Sequence, residues 1–75
     1  MMSEDFTFKM PIVTAIGHKE IHVDNFRNII EYNACSLSLT TGCGVVLIQG
    51  CNLEIMYYDQ EEIAIKGVIQ NIAFK

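Results

Sequence analysis

Apolar residues occupy every second position through residues 63–69, and this two-residue period constrains the fold more than any other feature of the chain. Successive side chains of a β-strand point to opposite faces, so the alternation predicts one buried and one exposed face. The period recurs in two other segments, in which the alternating residues are Leu37 and Leu39, and Leu53, Ile55 and Tyr57. The chain is therefore predicted to be built from strands.

Turn residues divide the alternating segments into short strands. Residues 26–32 also fit a helical spacing, but their β-forming side chains favour a strand. Short strands joined by Gly and Asn turns predict an all-β fold, namely a small antiparallel sandwich, roll or partly open barrel of about six to eight short strands. The predicted strands cover residues 6–10, 12–16, 20–24, 26–32, 35–41, 45–48, 53–58 and 63–69.

Glycine and asparagine mark the positions where the backbone is expected to turn. Glycine reaches positive φ without steric cost, and asparagine tolerates the left-handed region. Residues 49–52 are read as a turn or bulge and residues 59–62 as a solvated turn. The predicted structural turn residues are Gly17, Asn25, Gly42, Gly50, Asn52 and Gly67.

The alternation changes parity near the C-terminus. Ile65 and Ile69 occupy odd positions, whereas Ile72 and Phe74 occupy even ones. A strand cannot change parity and keep the same face, so a bulge or bend is expected near Gln70.

The 75 residues are expected to form a disordered tail over 1–5 and one β domain over 6–75. The first residues are acidic, where a secretory signal would be basic, and no apolar run has the length of a membrane span. The sequence therefore predicts a cytoplasmic protein that does not insert directly into a membrane.

The balance of charged and apolar residues indicates the class of partner. The net charge is −4 and the five basic residues are scattered, which disfavours nucleic-acid binding. Hydrophobic residues make up 51% of this short chain, more than a small core is expected to hide. We therefore expect a protein partner or self-association, giving a homo-oligomer. The candidate interaction surface consists of Phe6, Phe8, Tyr57, Tyr58 and Phe74.

The residues that could carry chemistry form no recognised motif. The three cysteines, at positions 35, 43 and 51, include no C-x-x-C pair, and their odd number disfavours a closed disulfide framework. No catalytic, cofactor-binding or metal-binding residue is predicted, and we expect no enzymatic activity. The alternative is a small-ligand or metal-binding β module that uses His18, His22 and one or more of the cysteines Cys35, Cys43 and Cys51.

Several segments resemble the YabP/YqfC family of small sporulation proteins from endospore-forming bacteria. Residues 48–55 (IQGCNLEI) are similar to the family's I-x-G-x-N-L-x-I, and residues 63–69 (IAIKGVI) to its I-x-I-x-G-x-I. Residues 30–32 (IEY) and 39–42 (LTTG) match further elements. The resemblance covers residues 12–74, although residues 23–28 (VDNFRN) lack the histidine and glycine of the family's E-N-H-x-G.

This resemblance implies a non-enzymatic part in spore formation, carried out in the cytosol of a sporulating cell through protein contacts. The motifs are structural glycines, one asparagine and alternating aliphatic residues. The resemblance therefore assigns no catalytic residue.

Overall fold

The structure, a computed structural model, describes residues 10–75 and forms one open antiparallel sheet of six strands. The described residues include no helix, and hence none long and apolar enough to cross a membrane. The strands are β1 (Ile12–Ile16), β2 (Glu20–Asp24), β3 (Phe26–Tyr32), β4 (Ser36–Thr41), β5 (Gly44–Tyr58) and β6 (Glu62–Phe74).

The strand order, β1-β2-β6-β5-β4-β3, forces the sheet to bend. In a flat sheet, β2 and β3 would lie about 19 Å apart, since neighbouring strands are about 4.8 Å apart. Yet Asn25 alone connects them, and two Cα–Cα steps span at most about 7.6 Å. The sheet must therefore curl until the end of β2 meets the start of β3, so the fold is a partly open roll.

Bulges in β5 and β6 provide the bends. On β6, Gln70 is the extra residue between the pairs Gln49–Asn71 and Gly50–Ile69. On β5, further register shifts fall between Cys51 and Glu54 and between Ile55 and Tyr57. Bulges kink a strand and increase its twist, which allows these two long strands to serve both parts of the roll.

The core is one cluster enclosed by the curled sheet. Ile21 of β2 pairs with Ile65 of β6, and Leu39 of β4 pairs with Val46 of β5. All four side chains are fully or almost fully buried. The complete cluster consists of Ile21, Val23, Phe26, Leu37, Leu39, Val46, Ile48, Leu53, Ile63, Ile65 and Ile69.

The sequence predicted three of the strands with the right bounds. Those over residues 12–16, 20–24 and 26–32 are confirmed, as is the bulge near Gln70. The predicted strands over 45–48 and 53–58 are one continuous strand of 15 residues, because residues 49–52 form a bulge and not a chain reversal. The predicted tail and most of the strand over 6–10 lie outside the described residues, and Met10 is not in a strand.

The predicted common face of Leu53, Ile55 and Tyr57 is wrong for Tyr57. Leu53 is buried and Ile55 is partly buried, but Tyr57 is 47% exposed. The extra residue Met56 shifts the parity, so that Tyr57 lies opposite Ala64 on the outer face. Ala64 is fully buried although the alternation predicts it on the exposed face, and its cross-strand neighbours on either side are His22 and Tyr57.

Three of the six predicted turn residues lie in loops or corners. Gly17 (φ 58°) lies in the β1–β2 turn, Asn25 (φ 67°) forms the β2–β3 corner, and Gly42 lies in the β4–β5 turn.

The other three turn residues lie within β5 and β6. Gly50 and Asn52 (φ 54°) belong to the bulged part of β5, and Gly67 (φ 140°) faces them from β6. A Cβ on Gly50 would collide with the carbonyl of Val68, so the two strands cross closely at this bend.

Candidate functional site

A polar cluster lies on the outer face where β2, β5 and β6 are neighbours. His22 Nε2 is 3.2 Å from Glu20 Oε1, and His22 Nδ1 is 3.5 Å from Glu62 Oε2. The hydroxyl of Tyr57 donates a hydrogen bond to the same Glu62 oxygen at 3.4 Å. The His22 and Tyr57 rings meet edge to face at a centroid distance of 6.3 Å. Cross-strand pairing positions the group, since His22 and Tyr57 both lie opposite Ala64.

The carboxylates of this cluster favour a charged imidazole. The pKa of His22 is raised from its ordinary 6.5, mainly by the hydrogen bond to Glu20, while burial opposes the shift and Glu62 adds to it. A protonated imidazole donates from both ring nitrogens and so satisfies both carboxylates. The pKa of Tyr57 is also raised, by desolvation and by Glu62. The two carboxylates therefore stabilise the charged form of the His22 imidazole relative to its neutral form.

An acidic depression lies beside this cluster, where β1 begins and β2 ends. It has a volume of about 580 Å³. The Asp59 carboxylate accepts hydrogen bonds from the backbone N–H groups of Glu61 and Glu62 at 2.8 Å each, which lowers the Asp59 pKa. The lining residues are Ile12, Asp24, Asn25, Asp59, Gln60, Glu61 and Glu62.

The two outer strands of the open sheet differ in how well their edges are protected. On β3, register shifts fall between Phe26 and Asn28 and between Ile29 and Glu31. β1 (Ile12–Ile16) pairs with β2 in unbroken register and carries no charge. No other strand of residues 10–75 pairs with its outer side, which we call the β1 edge. Unpaired N–H and C=O groups on a regular strand are a template for another strand. Within residues 10–75, the β1 edge is thus the more regular of the two sheet edges.

The predicted interaction residues do not form one surface. Tyr57 and Tyr58 lie opposite Ala64 and Ile63, whereas Phe74 lies opposite Val46 near the other end of β6. All three are exposed. Phe6 and Phe8 lie outside the described residues.

A small apolar depression lies at the Phe74 end of the sheet. It has a volume of about 270 Å³, and its lining includes Met10, Cys43, Val45 and Phe74. The predicted aromatic surface is thus split between this depression and the Tyr57 face.

The histidines and cysteines of the alternative site are dispersed. His18 lies exposed in the β1–β2 turn, and His22 contacts Glu20 and Glu62. The three cysteines, Cys35, Cys43 and Cys51, are free and exposed. Within residues 10–75, no three His, Cys, Asp or Glu side chains form a group that could hold a metal ion.

The sequence pattern did not predict the contacts of His22 with Glu20 and Glu62, or the position of the uncharged strand β1 at an edge of the sheet. Glu20 lies two residues from His22, which puts both on the same face of a strand, and that spacing was the available signal for their contact. Glu62 comes from a strand distant in the chain, so only the β2–β6 pairing reveals it. The uncharged sequence of residues 12–16 was visible, but its edge position depends on strand order.

These features define a small β protein formed by one rolled sheet, with an acidic depression at one end and a β1 edge that no other strand of residues 10–75 covers. The family model of the YabP family matches residues 9–75, which is nearly the whole chain. The chain therefore belongs to the YabP family, as its motifs indicated, and this membership suggests a sporulation-related protein. No curated protein matches the chain.

Proposed function

We propose that this protein is a non-enzymatic component of endospore formation that acts through protein–protein contacts, self-association included, in the cytosol of the sporulating cell. Family membership supports the sporulation context. The contact role is supported by the described surface, where large apolar side chains remain exposed alongside an unpaired strand edge.

The exposed apolar side chains are the observation that carries the proposal. Small domains bury only about 60% of their unfolded surface, so some exposure is expected. Within residues 10–75, however, ten large hydrophobic residues are at least 43% exposed. These residues are Met10, Ile12, Ile16, Ile30, Tyr32, Met56, Tyr57, Tyr58, Val68 and Phe74.

Light scattering across a concentration range tests self-association directly. A monomer has a mass of 8.5 kDa, and we expect a mass of at least a dimer that falls on dilution. A monomeric mass at every concentration would contradict self-association and leave a different protein as the only partner. Deletion of the gene in its sporulating host tests the cellular role, since normal spore yield and resistance would contradict it.

A further inference from the structure

We infer that two copies of this chain join through the β1 edge, with β1 of one copy antiparallel to β1 of the other, so that two six-stranded sheets form one continuous sheet. The inference rests on the proposed self-association and names its interface. Three features of β1 support this pairing: its hydrogen-bonding direction, the fit of its side chains to a second copy, and the charges at its two ends.

The backbone groups of β1 that point away from the sheet are those of Val13 and Ala15. The Ile16 carbonyl accepts the Lys19 N–H at 3.3 Å, so Ile16 directs its groups towards β2. An antiparallel strand sends the groups of alternate residues to alternate sides. The backbone groups of Thr14 therefore also point towards β2, and the N–H and C=O groups of Val13 and Ala15 point to the β1 edge.

The bonds between β2 and β6 agree with this assignment. Gly67 N donates to the Lys19 carbonyl at 3.0 Å, and Asn25 N donates to the Glu61 carbonyl. Within β2, the backbone groups of the odd-numbered residues thus face β6, so those of the even-numbered residues face β1. Their partners on β1 are Ile12, Thr14 and Ile16.

A second copy fits this pattern when a twofold axis passes beside Thr14. Val13 of one copy then lies opposite Ala15 of the other, and the two residues exchange their outward N–H and C=O groups. The same register places Ile12 opposite Ile16 of the second copy. Both isoleucines are 53% exposed in the single chain, and cross-strand aliphatic pairs stabilise a sheet. The edge is therefore complementary to itself.

The charges at the two ends of β1 favour the same antiparallel arrangement. At the Ile12 end lies the acidic depression, which includes Asp24, Asp59 and Glu62. At the Ile16 end lies the exposed turn that contains Lys19. Antiparallel pairing brings the Lys19 turn of each copy towards the acidic depression of the other, and opposite charges that come close together attract.

The opposite edge of the sheet does not offer the same template. β3 carries the charged residues Arg27 and Glu31, and its ladder with β4 is interrupted twice. Charges and bulges on an outer strand are the features that prevent edge-to-edge pairing. The structure therefore favours β1 over β3 as the contact between copies.

Two variants test the interface in the full chain. Ala15→Pro removes the outward N–H, which has no partner within the described chain, and Ala15→Ser keeps it as the matched control. We expect Ala15→Pro to weaken self-association about tenfold or more, measured by light scattering, with Ala15→Ser unchanged. Circular dichroism checks that both variants fold.

Crosslinking gives a readout that does not depend on proline being tolerated. In a background where serine replaces all three cysteines, Thr14→Cys places two thiols across the twofold axis. Their Cα atoms would be about 4.5 Å apart, within disulfide range. We expect mild oxidation to give a covalent dimer. Ile30→Cys, on the exposed β3 edge, serves as the control and should remain monomeric in a denaturing gel.

The outcomes distinguish failure of the β1 interface from failure of self-association as a whole. A dimer that is unaffected by Ala15→Pro and not crosslinked by Thr14→Cys would overturn the β1 interface while self-association stands. A wild-type chain that is monomeric at all concentrations would overturn both.

Discussion

Gly67 of β6 lies against the backbone of Asn52 in β5, and a Cβ on Gly67 would come within 2.6 Å of the Asn52 carbonyl oxygen. Both residues have positive φ, at 140° and 54°. The bulge in β5 and the glycine in β6 thus depend on each other. The bulge brings the Asn52 carbonyl close to β6, and Gly67 leaves room for it because it has no side chain. This contact lies where the two long strands bend.

Substitution of Gly67 is expected to destabilise the fold strongly. In Gly67→Ala the new methyl group meets a backbone oxygen that cannot rotate away, and a φ near 140° is accessible almost only to glycine. We expect the free energy of unfolding to fall by about 3 kcal/mol or more, measured by urea denaturation at fixed protein concentration.

Gly17→Ala is the matched control for this prediction. Gly17 also has positive φ, but nothing lies within 4 Å of a Cβ built there. Its cost is expected to be about 1 kcal/mol, the penalty of the left-handed backbone alone. Equal losses in the two variants would show that crowding at the Asn52 carbonyl contributes nothing.

Asn25 is expected to control the corner that rolls the sheet. Its backbone is left-handed, and its Nδ2 donates a hydrogen bond to the Met10 carbonyl at 2.7 Å. Asn25→Ala loses both the bond and the tolerance of positive φ, at a cost of about 1–3 kcal/mol. Asn25→Gly keeps the backbone freedom and is expected to lose only about 1 kcal/mol.

Asn25→Asp separates the hydrogen bond from the backbone geometry. Aspartate tolerates the left-handed region, but its carboxylate cannot donate to Met10 and adds charge beside Asp24, Glu61 and Glu62. We expect a loss at pH 7 that becomes smaller when the new carboxylate is protonated. Thermal melts at pH 4 and pH 7 rank the stabilities of the three variants. An Asn25→Asp variant as stable as the wild type at pH 7 would contradict a stabilising role for the hydrogen bond to Met10.

The strand pattern of this fold was readable from the sequence, but its pairing was not. Alternation within a segment depends on local residues, which is why β1, β2 and β3 were predicted with their bounds. Strand order depends on contacts distant in the chain, such as β2 with β6. The segment from Gly50 to Asn52 has the composition of a turn, yet it continues a strand because Gly50 N and Leu53 N still donate to the carbonyls of Cys35 and Ala34.

The candidate site was less predictable for the same reason. The parity of Tyr57 depends on a bulge at Met56, which no turn residue marks. The Glu62 carboxylate reaches His22 only through the β2–β6 ladder. A local pattern therefore predicts which face a side chain uses up to the first bulge and fails beyond it.

Folding stability is expected to fall with rising pH because of His22. Its pKa is raised in the folded chain, whereas the unfolded chain titrates near the ordinary 6.5. The stabilising contribution of the charged imidazole is complete below pH 6.5 and is lost as the pH rises through the folded pKa. The free energy of unfolding, measured by urea denaturation from about pH 5.5 to about pH 8.5, should decline as the pH rises. The His22→Gln variant should not show this decline.

Two further variants identify which carboxylate raises the His22 pKa. Glu20→Gln is expected to lower that pKa more than Glu62→Gln, because the Glu20 hydrogen bond is the largest cause of the shift. The pKa is read from the imidazole carbon-bound protons by NMR titration. His18→Gln, which replaces the histidine in the turn, is the control for both experiments. An unchanged His22 pKa in Glu20→Gln would contradict the assignment.

Serine at Tyr57 and Tyr58 is expected to leave the solution mass unchanged. Tyr57 lies on β5, and β2 and β6 separate it from the β1 edge, so an interface formed by β1 does not use this aromatic pair. The measurement is light scattering of Tyr57→Ser/Tyr58→Ser beside Ala15→Pro at equal concentrations. If the double variant dissociates while Ala15→Pro does not, the interface lies on the exposed face of β5 instead. Loss of two partly exposed rings weakens self-association only where a second copy buries them.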